Sequence, residues 1–206
     1  MKNMKWLFAA LLFAALPLYA QQDRNVTLSL FVSQVSMDGG ELDDAFETEF
    51  EDGNGFGLAG YIPFNRWLGV EASIFSLRNE SRLVFEGAAP FELGRADLVP
   101  ISVGAQAHLT GGMRFDPYVG AGATYMMASD LYSEDLDIVG IGRIEVDSEF
   151  TYFLNAGVAF DFNEHFGIAL DGRYIPYEPS TQAAAGEEVE LDLSPTILSA
   201  ALRFRF

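Results

Sequence analysis

Two histidines, no cysteine and 30 carboxylates bound the chemistry open to this 206-residue chain. Hydrolysis needs a nucleophile or an activated water beside a base, usually histidine. Only His108 and His165 can serve. Ser102 shares a face with His108 on an extended strand but stands about 20 Å away at strand rise, beyond hydrogen-bond reach. Two separated imidazoles make no tetrahedral cluster, and without cysteine there is neither a thiolate site nor a disulfide framework. Asp130, Glu134, Asp135 and Asp137 offer the oxygens that calcium or magnesium take, yet no calcium-loop motif or glycine-rich repeat accompanies them, so a solvated acidic loop is expected. The residue types therefore predict no enzyme, no metal and no cofactor.

A second set of ionisable residues has a different character. Glu71, Asp161, Asp171, Arg173, Arg203 and Arg205 each lie on a stretch where apolar residues recur at every second place. In the last eleven residues, Leu198, Ala200, Leu202, Phe204 and Phe206 form one row, and Ile197, Ser199, Ala201, Arg203 and Arg205 form the other. A period of two makes this a strand with one face for hydrocarbon and one for a wetter environment. Arginines alternating with apolar residues up to a terminal aromatic fit a transmembrane barrel strand.

The rest of the chain supplies matching elements. No apolar run after the first twenty residues approaches the length of about 20 that a membrane helix needs, so a membrane-spanning chain of this kind must be a barrel. Twenty glycines and eighteen phenylalanines suit such a protein. Residues 1–20, with Lys2, Lys5, an apolar core and Ala20 at the cut, are expected to be a secretory signal peptide, leaving residues 21–206 as one barrel domain. The chain has 12 basic and 30 acidic residues; the leader holds two of the lysines and no acid, so ten bases remain, all arginine, for a net charge of -20. Such a surface repels nucleic acid.

Eight alternating stretches are predicted, at residues 26–35, 55–64, 67–77, 99–109, 117–127, 150–162, 166–177 and 196–206. The segments joining them alternate long and short, beginning with the acidic residues 37–54 and including a long connection at 78–95. An even-stranded up-and-down antiparallel barrel with short periplasmic turns, long external loops and both termini in the periplasm gives this order. A soluble eight-stranded barrel would place its apolar row inside. Here the row holding Glu71, Asp161, Asp171, Arg173, Arg203 and Arg205 cannot face lipid, so the apolar row is expected to face out.

Several motifs carry a resemblance. Pro117-Tyr118-Val119-Gly120-Ala121-Gly122, Asp97-Leu98-Val99-Pro100, Leu193-Ser194-Pro195, and Gly57-Leu58 followed by Leu68-Gly69-Val70-Glu71 are similar in order and spacing to the OmpW-type outer-membrane proteins, over residues 55–206. The resemblance implies an eight-stranded barrel in the bacterial outer membrane that carries small hydrophobic molecules. Leu202, Phe204 and Phe206 resemble the terminal signal read by the barrel-assembly machinery. Outer-membrane lipids and lipopolysaccharide are the other partners expected.

Sorting inward positions by distance from the short turns predicts a gradient. Glu71, Asp161, Asp171, Arg173, Arg203 and Arg205 collect low and would form a charged plug, since unpaired charges are costly there. Phe31, Phe75, Leu77, Leu98, Met126, Phe153, Ile175, Leu193 and Ile197 lie higher and would line an apolar upper lumen. An apolar solute avoids desolvating such a floor by leaving sideways. Pro100 and Pro195, expected near the upper ends of strands four and eight, contribute no amide donor and are candidates for a lateral seam. The alternative is a structural or adhesive barrel with a packed interior and no transport.

Overall fold

The computed structural model describes residues 26–37, 41–43, 46–50, 52–85, 91–111, 113–129, 131–132, 143–146, 148–177, 180–182, 188–190 and 193–206. The expected leader at 1–20 and the acids Asp130, Glu134, Asp135 and Asp137 lie outside these residues.

The alternating stretches fold into eight wall strands: β1 (Thr27–Met37), β2 (Gly53–Pro63), β3 (Leu68–Phe85), β4 (Phe91–His108), β5 (Phe115–Ala128), β6 (Glu149–Asp161), β7 (Phe166–Tyr174) and β8 (Pro195–Arg205). Each pairs antiparallel with its neighbours in sequence. β1 also pairs with β8, from Thr27 opposite Arg205 to Met37 opposite Pro195, and this closure leaves the wall without a free edge. Partners can be followed once round the wall from Arg205 through Thr27, Tyr61, Glu71, Gly104, Gly122 and Phe153. One place beyond the Leu154–Tyr174 pair stands Ile175, whose amide donates to the Pro195 carbonyl, so the row that left β8 at 205 rejoins it at 195, ten residues away. A stagger of that size tilts the strands about 40° from the barrel axis.

Two of the short turns are built alike. In residues 64–67 the Asn65 side-chain oxygen accepts the Trp67 and Leu68 amides at 2.7 and 2.9 Å. In residues 162–165 Asn163 does the same for His165 and Phe166, at 2.9 Å each. Asparagine bonds its own backbone two or three residues on, which stops a strand and starts its return.

Sidedness follows the alternation. Val32, Leu198 and Phe150 are 68%, 61% and 80% exposed, whereas Phe75 and Arg173, on opposite-parity positions, are each 1% exposed. Exposed aromatics ring both ends of the apolar belt: Phe64, Trp67, Phe115, Phe162, Phe166 and Phe206 near the short turns, and Phe56, Phe150, Tyr152 and Tyr174 at the other end. Phe166 packs on Phe204 at 5.5 Å and Tyr125 on Phe150 at 4.7 Å. An apolar belt between aromatic girdles is the outer face of a membrane barrel.

Four expectations need correction. Residues 78–95 are not an open connection: β3 continues to Phe85 and β4 begins at Phe91, with a register shift between Ser81 and Arg82. The register there sets Arg78, Glu80 and Arg82 opposite Asp97, Arg95 and Glu92. Arg78 Nε lies 3.6 Å from Asp97 Oδ1, and opposite charges across a ladder help hold it, a partnership that neither stretch displays alone. Within the acidic segment after β1, Phe46–Phe50 pairs with the upper part of β3 and with Glu41–Asp43. Parts of the last two long segments form a separate sheet, in the order Glu188–Glu190, Ser180–Gln182, Arg143–Val146, Leu131–Tyr132. Finally, Val26, whose parity with Leu30 and Val32 puts it on the apolar row expected to face out, is buried, and its carbonyl accepts the Phe206 amide at 2.9 Å.

Candidate functional site

Among the described residues, buried charge, aromatic rings and hydrocarbon meet in the bore, and the inward parity of each strand decides what enters it. Near the short turns, Asp161 from β6 receives Arg203 at 3.2 Å and Arg205 at 2.5 Å, both from β8. On the opposite wall, His108 Nδ1 lies 2.9 Å from Asp116 and its Nε2 lies 3.1 Å from Gln106 Oε1. Gln106 in turn donates to Glu71 at 3.2 Å, and Thr110 donates to Asp116 at 2.7 Å. Ser102 is bonded to Thr124 at 2.8 Å, so it and His108 belong to separate pairs.

Arg173 joins this floor to what lies above it. Its Nη2 donates to Glu71 at 2.5 Å and its Nη1 to Ser73 at 2.6 Å. Its guanidinium carbon lies 4.6 Å from the centre of the Phe153 ring and 5.1 Å from that of Phe75. The planar cation thus bonds carboxylate and hydroxyl along its edge while covering aromatic faces, a dual role lysine could not fill. Beside it, Asp171 Oδ2 accepts from Tyr118 at 2.9 Å and from Asn155 at 2.8 Å.

All six residues expected in the plug are therefore brought together, as two linked groups: Arg203–Asp161–Arg205, and Glu71–Arg173–Asp171. Several members were not singled out from the sequence. Asp116 and Tyr118 occupy inward places four and two residues before Gly120, so extending the alternation of β5 toward its turn would have found them. Asn155 and Ser73 share the inward parity of Phe153 and Glu71, and only the partner across the bore reveals their role.

The nine residues expected to line the upper lumen are all buried and belong to one cluster, with Val35, Met37 and Tyr177 among its other members. The Phe31 and Phe75 rings meet at 5.3 Å. These side chains are buried together as an apolar layer across the upper bore. Glycine makes room for the rings: a Cβ at Gly104 or Gly122 would collide with Phe153, one at Gly57 with Phe75, and one at Gly157 with Tyr118. Large against small across neighbouring strands is how a narrow bore is filled.

The two prolines differ. Pro195 is the first residue of β8, pairs with Met37 and accepts from Ile175, so the ladder runs to it on both sides. Pro100 is not near a strand end; β4 continues nine residues further, to Phe91. Pairing of β3 with β4 goes from Ile74–Ile101 directly to Leu77–Leu98, omitting Phe75, Ser76, Val99 and Pro100 while keeping the same register. The missing proline amide accounts for the lapse. On its other side Pro100 stays paired with Met126. Leu202, Phe204 and Phe206 lie on the outer face of the closing strand, with Leu202 opposite Leu30 and Phe204 opposite Leu28.

Comparisons with known proteins agree with this geometry. The family model for the outer membrane protein beta-barrel domain matches residues 6–206. The outer-membrane protein y4mB of Sinorhizobium fredii is 28% identical over 126 residues, 58% of this chain and 52% of that protein, so the chain spans about half the length of this curated relative. The crystal structure of OprG from Pseudomonas aeruginosa superposes with a TM-score of 0.75 at 18% identity, covering 89% of this chain and 96% of OprG. AlkL, solved in DMPC bilayers, gives 0.61 at 18% identity, covering 89% and 90%.

Proposed function

This chain belongs to the outer membrane protein beta-barrel domain family, and we propose that within the bacterial outer membrane it is an OmpW-type conduit for small hydrophobic molecules. The short turns and both termini face the periplasm in this reading, and the long segments face outward. A solute enters the apolar layer from outside, displaces its side chains, and leaves sideways between β3 and β4 instead of crossing the charged floor.

The observation that carries the reading is the lapse in the β3–β4 ladder at Pro100. It falls opposite Phe75, a member of the apolar layer. Pairing between β3 and β4 thus lapses beside the apolar layer. Below that level, continuing to the periplasm would mean breaking the pairs that Arg173, Arg203 and Arg205 make with Glu71 and Asp161, each costly to leave unpaired when buried. Packing of the layer favours a second reading, a structural barrel whose bore never opens and whose outer segments act alone.

Uptake decides between them. Phospholipid tails dissolve apolar solutes unaided, so the barrel belongs in vesicles whose outer leaflet is lipopolysaccharide. The conduit reading expects faster entry of an apolar solute than of a polar one of equal size, and loss of that advantage on changing Phe75 and Phe153 to aspartate in a barrel that still folds. Equal rates with and without the protein would leave the structural reading.

A further inference from the structure

Where the floor meets the apolar layer, two buried polar atoms face each other without a hydrogen-bond partner: Arg173 Nε and Asp171 Oδ1. They are 3.8 Å apart, too far for a direct hydrogen bond. Every other polar atom of the two side chains that could turn away is already held. Arg173 Nη1 and Nη2 are committed to Ser73 and Glu71. Asp171 Oδ2 is committed to Tyr118 and Asn155. The Asn155 amide is oriented by that bond, because a carboxylate only accepts, and its own Oδ1, lying against Gly120, is unmet as well. Asp171 and Arg173 are 2% and 1% exposed. Phe75 and Phe153, which flank the guanidinium, belong to the apolar layer, so the unmet pair stands at its base.

We propose that Arg173 Nε and Asp171 Oδ1 form a head-group subsite for apolar molecules that carry one neutral hydroxyl, such as medium-chain alcohols. An oxygen about 2.9 Å from both atoms accepts from Nε–H and donates its own proton to Oδ1, satisfying donor and acceptor together. A carboxylate head has no proton to give and meets Asp171 with like charge. An ammonium head meets Arg173. An alkane leaves both atoms unmet. The inference rests on the apolar layer being the solute's path, and it names the class of solute that the path selects.

Nuclear magnetic resonance of the refolded full chain in nanodiscs tests this through the Arg173 Nε–H signal, titrated separately with 1-octanol, n-octane and octanoate. The subsite predicts that 1-octanol shifts Nε–H saturably together with the methyls of Ile175 and Ile197, that n-octane shifts the methyls alone, and that octanoate binds at least about tenfold more weakly than the alcohol. Asp171→Asn is expected to raise octanoate affinity by about tenfold, a reversal of charge preference that a merely structural carboxylate would not produce. Methyl shifts with both octane and octanol but a stationary Nε–H, or an Nε–H that exchanges only with water, overturn the subsite and leave the conduit standing. Methyls unmoved by any of the three solutes overturn the path and the subsite together.

Discussion

The two halves of the bore are both buried, and they are held by unlike forces. Charges in the floor are held by directed bonds: Asp161 with Arg203 and Arg205, Glu71 with Arg173, Asp116 with His108, and Asp171 through one oxygen with Tyr118 and Asn155. In the apolar layer Phe31, Phe75, Phe153, Met126, Ile175 and Ile197 touch without direction. A directional network resists movement because each lost bond strands a charge, while a layer held by dispersion and burial can rearrange and keep most of its contacts. The difference assigns rigidity to one end of the barrel and adaptability to the other. The wall reflects it: the only lapse between paired stretches of β3 and β4 without a register shift is beside the layer, at Pro100.

Removing one partner from the floor should do the most damage. Arg173→Ala strands Glu71 and takes the cation from between two rings, and is expected to lower stability by about 3–5 kcal/mol in urea unfolding. Adding Glu71→Gln should recover part of that loss, since the uncompensated carboxylate is then gone. Equal stability of Arg173→Ala and the parent would mean that the floor is not a network of paired charges.

A charge placed on the other side of the wall should cost somewhat less. Leu170 is 58% exposed on the outer face, between Val158 and Ala200. Leu170→Arg is expected to lose about 2–4 kcal/mol in a bilayer, the cost of arginine on a lipid face near the midplane. A neutral result would contradict the sidedness of every strand.

The smallest effect belongs to the layer. Ile197→Val removes one methylene from a group able to close over the space, with an expected loss of about 0.5–1.5 kcal/mol by the same unfolding measurement. A loss as large as that of Arg173→Ala would show the layer to be as rigidly specified as the floor.

Sidedness was legible because it rests on parity. Placing Arg203 and Arg205 inside forces Leu202 and Phe204 outside, and the same step repeats on every strand. The turns were legible because Asn65 and Asn163 end strands by local bonding. The plug's composition was only half legible, for Asn155, Ser73 and Tyr118 gain meaning from partners 16, 100 and 53 residues distant, and no local pattern encodes those pairings. The length of β3 and β4 was hidden for the same reason: Arg78 reads as loop until Asp97 stands across from it. Pro100 was recognised as a residue that weakens a ladder, but the continuation of β4 to Phe91 moved it from the rim to the middle of the wall.

The account turns on whether the wall parts beside Pro100. Ser76 and Val99 stand opposite each other in the lapse, and the chain has no cysteine of its own, so Ser76→Cys with Val99→Cys makes a single disulfide across it. Uptake of an apolar solute into vesicles with a lipopolysaccharide outer leaflet is predicted to stop when this pair is oxidised and to return on reduction. Uptake that proceeds at the same rate through the locked barrel would contradict a lateral exit between β3 and β4.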